Sequence, residues 1–238
     1  MTTIIENREF RCEGSYRIPD ITDAEVRRCT FTECQHPAWF EGSERPTLRR
    51  VNLVRCHVRA SELGAVVAED CVIDTVWFHR GMWGPQLLAG CAFRHVVIRG
   101  NVTGGLRFGI STEWHRTWPP PLVSDDPVHR ANADYYADVD WALDISQANF
   151  TAVEMSWCDI PARLIRRDPE TQVVLARQSV TNGDWRAACG DSPLWVGIER
   201  FLESGLPDTV LVAARRSKRF GTDKAAIDRL CAEGMAYR

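Results

Sequence analysis

Residues 51–75 read VNLVR CHVRA SELGA VVAED CVIDT when divided every five positions. Continued, the cells open on Val51, Cys56, Ser61, Val66, Cys71, Val76, Gly81, Gln86, Cys91 and Val96. Their third positions are Leu53, Val58, Leu63, Ala68, Ile73, Phe78, Trp83, Leu88, Phe93 and Ile98. The first column is mostly small and the third entirely apolar, while the others collect Arg, Glu, Asp, His, Asn and Gly. A period of five fits neither a helix at about 3.6 nor a flat strand at about 2. It does fit a chain that turns a corner after each five-residue side, so that four sides close a coil of twenty residues. Leu53, Ile73 and Phe93 share that twenty-residue spacing. Stacked at strand spacing, about 4.8 Å, such coils turn each inward position into an apolar ladder that no single repeat buries alone.

The beat extends beyond this core. Upstream, C-T-F-T-E at 29–33 is followed by Cys34, and about two residues are extra between Ala38 and Leu48. Downstream it returns as LDISQ, ANFTA, VEMSW and CDIPA from Leu143 to Ala162, with Ile145, Phe150, Met155 and Ile160 in third position. These cells resemble the pentapeptide-repeat family, whose unit is A-(D/N)-L-x-x. ANFTA matches it closely; VNLVR, CHVRA and SELGA match more loosely. The resemblance covers residues 19–107 and 143–162 and implies a mainly β fold, a right-handed quadrilateral parallel β-helix. The competing reading, a β-sandwich, requires ten consecutive apolar third positions to arise by coincidence.

Two segments leave the beat. Residues 108–142 form a long insertion containing Trp114, His115, Trp118, the run Pro119–Pro121, Tyr135 and Tyr136. The prolines exclude regular structure at that point. From Ser111 to Gln147 the insertion and its flank carry seven acids against two arginines. Its aromatics suit a cover for the coils or a partner-binding loop. RLIRRDPETQVVLARQ, from Arg163, reads as a final turn and strand. Residues 1–183 are therefore assigned to the repeat domain and 184–238 to a C-terminal helical cap, which also offers a homodimer surface. Within the cap, SPLWVGIERFLESG has Ser192 to cap a helix, Pro193 in its first turn and Gly205 to stop it. DTVLVAARRSKRFG and TDKAAIDRLCAEG are expected to form two more helices. The basic run of Arg215, Arg216, Lys218 and Arg219 reads as a solvated helix face.

The whole chain of 238 residues is 45% hydrophobic and 26% charged, with a net charge of -3. It contains no apolar run of membrane-spanning length. MTTIIENREFRCEG carries early charges and no apolar stretch, so no secretory signal is expected. Nine cysteines without a C-x-x-C pair read as reduced thiols of a cytoplasmic protein. Six of them (Cys29, Cys34, Cys56, Cys71, Cys91, Cys158) fall in the small inward column, where a thiol serves as a small hydrophobe. Cys34 lies close to His36, and Cys56 to His57, but alternation sends neighbours to opposite sides, so no metal is expected.

No nucleotide-binding loop, dinucleotide fingerprint, zinc-protease motif or nucleophile elbow occurs, and no cofactor or catalytic residue is assigned. A register of twenty does place Arg59, His79 and Arg99 in one outward column, with His57, Trp77 and Arg80 beside them. Trp114, His115 and Trp118 of the insertion are expected nearby. From Leu48 to Arg107 there are eight arginines and four acids, a surface suited to an acidic partner, a phosphate or a carboxylate. The function expected from these features is that of a non-catalytic interaction protein, an immunity or antidote factor that binds another protein. One alternative follows from the family resemblance: a DNA mimic that protects topoisomerases, which requires an acidic rod. Another is an enzyme with its site between coils and insertion. Direct nucleic-acid or membrane binding is not expected.

Overall fold

The five-residue beat has a direct backbone counterpart. The computed structural model describes residues 2–11, 20–34, 45–59, 61–79, 86–109 and 127–238. In it Arg55, Ala65, Asp70, Thr75, Gly90, His95 and Gly100 all have left-handed backbone, with φ between 53° and 69°. Asp23, Arg28 and Glu33 repeat the same step upstream. Each of these residues is the last of its cell. A left-handed conformation costs a non-glycine residue about 1–2 kcal/mol, so the packing of the strands on either side must offset a cost incurred at nearly every corner.

Between corners the chain is extended, and the strands pair in parallel within a 15-stranded sheet. The pairs fall into four columns. The first stacks Thr3–Glu6 on 24–27, 51–54, 72–74, 97–99, Leu143–Asp144 and Ile165–Arg166. The second stacks Glu9–Arg11 on Thr30–Thr32, His57–Arg59, 77–79, then 102–103 and 148–150 with a bulge. The third holds Glu62–Gly64, Gln86–Ala89, 106–109 and 152–154. The fourth holds 21–22, 47–49, Val67–Glu69 and Ala92–Arg94. Inward residues of all four columns merge into one core that includes Val51, Cys71, Phe93, Ile98, Leu106, Ile145 and Phe150.

The twenty-residue stacking holds only in part. Leu53 lies opposite Ile73 as expected, but the partner above Ile73 is Ile98, and Phe93 stacks on Ala68. The offset changes because five residues are added on the way into the third column. Arg59 pairs with His79 at an offset of 20, whereas Glu62 pairs with Leu87 at 25. A single residue is then added between Arg99 and Val102, where the pairing slips. Gly104 follows this bulge with φ 94°, and a Cβ there would overlap the carbonyl oxygen of Phe78, so only glycine fits.

The inward thiols explain their own column. Cys29, Cys56, Cys71 and Cys91 are buried, and the Sγ atoms of Cys56 and Cys71 each reach two carbonyl oxygens at corners, 3.2–3.6 Å away. Burial raises the pKa of both thiols above the ordinary value. Ser61 takes the same position, and its hydroxyl donates to the Arg59 carbonyl at 2.8 Å.

The described part of the insertion contains a helix, Pro127–Tyr136, that begins beyond the proline run. It closes the fourth column, where the Tyr136 hydroxyl accepts the edge amide of Phe93 at 3.2 Å. Arg45 donates to the corner carbonyls of Ala65 and Gly90 at 2.8 and 2.7 Å and to Asn132 of this helix at 2.7 Å.

At the C-terminal end an antiparallel sheet of 208–212, 172–176 and 236–237 lies over the last coil. Its side chains alternate between two cores. Val174, Val210 and Val212 join the stack, while Val173, Leu175 and Leu211 pack with Ile198, Phe201, Ile227 and Leu230 of the helices. Helices Leu194–Ser204 and Phe220–Ala232 form where the sequence places them, and Gly205 ends the first with φ 79°. DTVLV does not form the expected helix. It is the strand Asp208–Val212, because its buried, β-branched residues serve both faces of a sheet. Strand 172–176 belongs to this sheet, so the C-terminal layer draws on residues before position 184. Among the described residues no helix is long and apolar enough to cross a membrane.

Candidate functional site

The second column carries the outward side chains that the register singles out. His57 lies opposite Trp77 and Arg59 opposite His79, while Val58 and Phe78 between them point to the core side. The pleat therefore places His57 and Trp77 in one outward row and Arg59 and His79 in another. His57 stacks on Trp77 with centroids 4.7 Å apart and planes at 12°, and on His79 at 5.2 Å and 21°. His57 Nδ1 and His79 Nε2 are 2.9 Å apart, so one nitrogen donates and the other accepts. That bond survives only while at least one ring is neutral. The pKa of His79 is lowered, first by burial and then by the Arg59 and His57 charges beside it. No ion pair of Arg59, His57 or His79 occurs among the described residues.

Arg99 is not part of this cluster. It pairs with Asp74 in the first column, and its Nε donates to the Asp74 carboxylate at 2.8 Å. The five residues added after His79 leave it one side short of the second column. Arg80, Trp114, His115 and Trp118 lie outside the described residues.

Sequence reasoning missed one contributor. Above Trp77 in the same row stands Thr103, and Arg216 of the C-terminal segment donates to its hydroxyl at 2.8 Å. The Arg216 amide also bonds the Phe150 carbonyl at 3.0 Å, which anchors residues 214–217 on the upper edge of the column. The basic run is thus no helix face: 215–219 is a turn before the last helix, and Arg216, Lys218 and Arg219 are exposed. Nothing in the five-residue pattern links position 216 to position 77, because the tail lies outside the repeat.

Two other polar clusters are self-satisfied. At the corner between the fourth and first columns stand Asp23, Arg50, Asp70 and His95, one per coil. Arg50 donates to Asp23 at 2.9 Å, and His95 lies 3.1 Å from Asp70 and 2.7 Å from Asp140. Between the last coil and helix Leu194–Ser204 a cleft of about 180 Å³ is lined by Val153, Met155, Ser156, Leu194 and the ion pair of Glu154 with Arg200. No group of three or more His, Cys, Asp or Glu side chains suited to a metal occurs among the described residues.

No family model, no curated protein and no solved structure matches this chain.

Proposed function

We propose that the chain is a pentapeptide-repeat-like, four-sided parallel β-helix with an α/β cap, and that it acts as a non-catalytic recognition scaffold, an immunity- or antidote-like factor binding another protein through its second column. The observation that carries this reading is the contrast in charge pairing. Arg27, Arg49, Arg50, Arg99 and Arg107 each sit against an acid, whereas Arg8, Arg55 and Arg94 have no paired acid among the described residues, and Arg94 lies over the Tyr135 ring. Arg59 stands beside two histidines and a tryptophan, with no acid paired to it among the described residues. Like charges grouped on an outward face weaken the fold slightly and favour an anionic partner. The first column alternates Glu6 with Arg27 and Asp74 with Arg99, and so does not form the unbroken acidic ladder that DNA mimicry requires.

The test is an affinity capture from the native cell using the wild-type chain and the Arg59→Glu/His79→Glu double variant side by side. A protein retained by the first and lost from the second, with unchanged melting behaviour of the variant, is the expected result. Equal recovery by both would move the binding surface elsewhere.

A further inference from the structure

We infer that the recognition surface is a cationic stripe running up the second column from Arg59 to Arg216, and that it takes an extended acidic segment of a partner polypeptide lying along the stack. This inference rests on the scaffold reading above and adds the chemistry of the partner and a residue from outside the repeat.

Three observations place the stripe. Arg59 and His79 occupy adjacent strands of one outward row, and His57, Trp77 and Thr103 occupy consecutive strands of the other. The Arg216 guanidinium is fixed over Thr103 by its hydrogen bond at 2.8 Å. Lys218 and Arg219 follow it, exposed, in the same turn. From Arg59 to the Thr103 level is two strand steps, about 10 Å, which an extended peptide covers in about three residues. Two acids at that separation meet Arg59 and Arg216, and a side chain between them meets Trp77. Guanidinium groups are suited to such contacts because they bind carboxylates through paired, charge-assisted hydrogen bonds.

The arrangement of Trp77 favours polypeptide over single-stranded nucleic acid. Nucleic acid binders of that kind offer open aromatic faces to bases. Trp77 has His57 stacked on one face at 4.7 Å, and its strand neighbour on the other side is Thr103, which carries Arg216. One face of the ring is therefore taken by His57 and is closed to a base. The overall charge of -3 supplies no general attraction to an acidic peptide or to nucleic acid, so binding of either rests on the stripe alone.

The probe is a fluorescein-labelled oligoglutamate of about a dozen residues, long enough to span the stripe, measured by fluorescence anisotropy with the full chain. The expected result is binding that weakens as salt is raised. Affinity should fall about tenfold or more in Arg59→Glu/Arg216→Glu and stay unchanged in Arg163→Glu, which lies outside the stripe. Should the charge-reversed variant fail to fold, Arg59→Gln/Arg216→Gln replaces it, with the same loss expected at a smaller size. Absence of oligoglutamate binding, equal binding by the double variant, or tighter binding of a single-stranded oligonucleotide of equal charge would each overturn the inference. Its failure is separable from that of the scaffold reading. A partner captured through Arg59 and His79 but not displaced by oligoglutamate leaves the scaffold standing and removes the acidic segment.

Discussion

The corner that carries Asp23, Arg50, Asp70 and His95 and the face that carries His57, Arg59, Trp77 and His79 are built on the same parallel sheet, yet they treat charge in opposite ways. At the corner the signs alternate from coil to coil, and Asp140 closes the series above His95. The Arg50 hydrogen bond lowers the pKa of Asp23, and the Asp23 hydrogen bond in turn raises that of Arg50. On the face, burial first and then Arg59 and His57 disfavour the protonated form of His79. Stacking at strand spacing imposes neighbours about 4.8 Å apart on every outward row. A row can therefore neutralise itself, as the corner does, or stay open to an external anion. Only the second arrangement asks for a partner.

The largest effect should come from removing the support that both regions share. Ile98 is 1% exposed and lies opposite Ile73 in the inward column. Ile98→Ala should destabilise the chain by about 2–5 kcal/mol, because a cavity opens in a stack that cannot collapse around it. Urea denaturation followed by circular dichroism measures this. A loss well under about 1 kcal/mol would mean that the columns do not share one cooperative core, and the comparison between corner and face would lose its common frame.

A smaller effect should separate the two regions themselves. Arg50→Glu places a third acid between Asp23 and Asp70, and the melting midpoint should fall measurably at low salt and recover toward wild type as salt is raised. Arg59→Glu removes a cation that has no paired acid among the described residues and that opposes protonation of His79, so its midpoint should stay level or rise slightly. Parallel thermal melts at two salt concentrations decide the matter. Equal losses in both variants would show that Arg59 is as well compensated as Arg50, and the case for an open face would fall.

How much of this was legible in the sequence depends on the range of the cause. The five-residue beat is set locally, by a left-handed residue at each corner and an inward side chain two positions before it, so it reads clearly through Arg55, Ala65, Asp70, Thr75 and His95. The stacking offset is a sum over a whole coil. Five residues added between His79 and Gln86 keep the beat and yet rotate everything after them by one side, so His57 and Arg59 lie opposite Trp77 and His79 at an offset of twenty, while Arg99 lies opposite Asp74 instead. The strand at Asp208–Val212 was misread as a helix because a short apolar run fits either period until its partners are known. Arg216 was invisible as a site residue for a related reason: it reaches Thr103 across 113 positions through a fold contact that no repeat encodes.

The smallest effect, and the one most specific to the comparison, is a difference in sign between two histidines. The pKa of His95 is raised above its ordinary 6.5, first by the hydrogen bond to Asp140 and then, against a desolvation cost, by that to Asp70. Its contribution to stability is therefore fully present below about pH 6.5 and is lost as the pH rises through the raised value. The pKa of His79 is lowered from the same 6.5, first by burial. There the unfolded chain takes up a proton that the folded chain resists, so stability declines as the pH falls from about 6.5 through the lowered value. His95→Gln should thus destabilise the chain more at pH about 5.5 than at pH about 8, whereas His79→Gln should relieve a penalty and gain on wild type at the lower pH. Both titrations can be followed directly by NMR of the imidazole Cε1 protons, alongside melts across the same range. If the two variants change stability with pH in the same direction, the rows are not opposite in kind, and the distinction between a corner that neutralises itself and a face that awaits an anion does not hold.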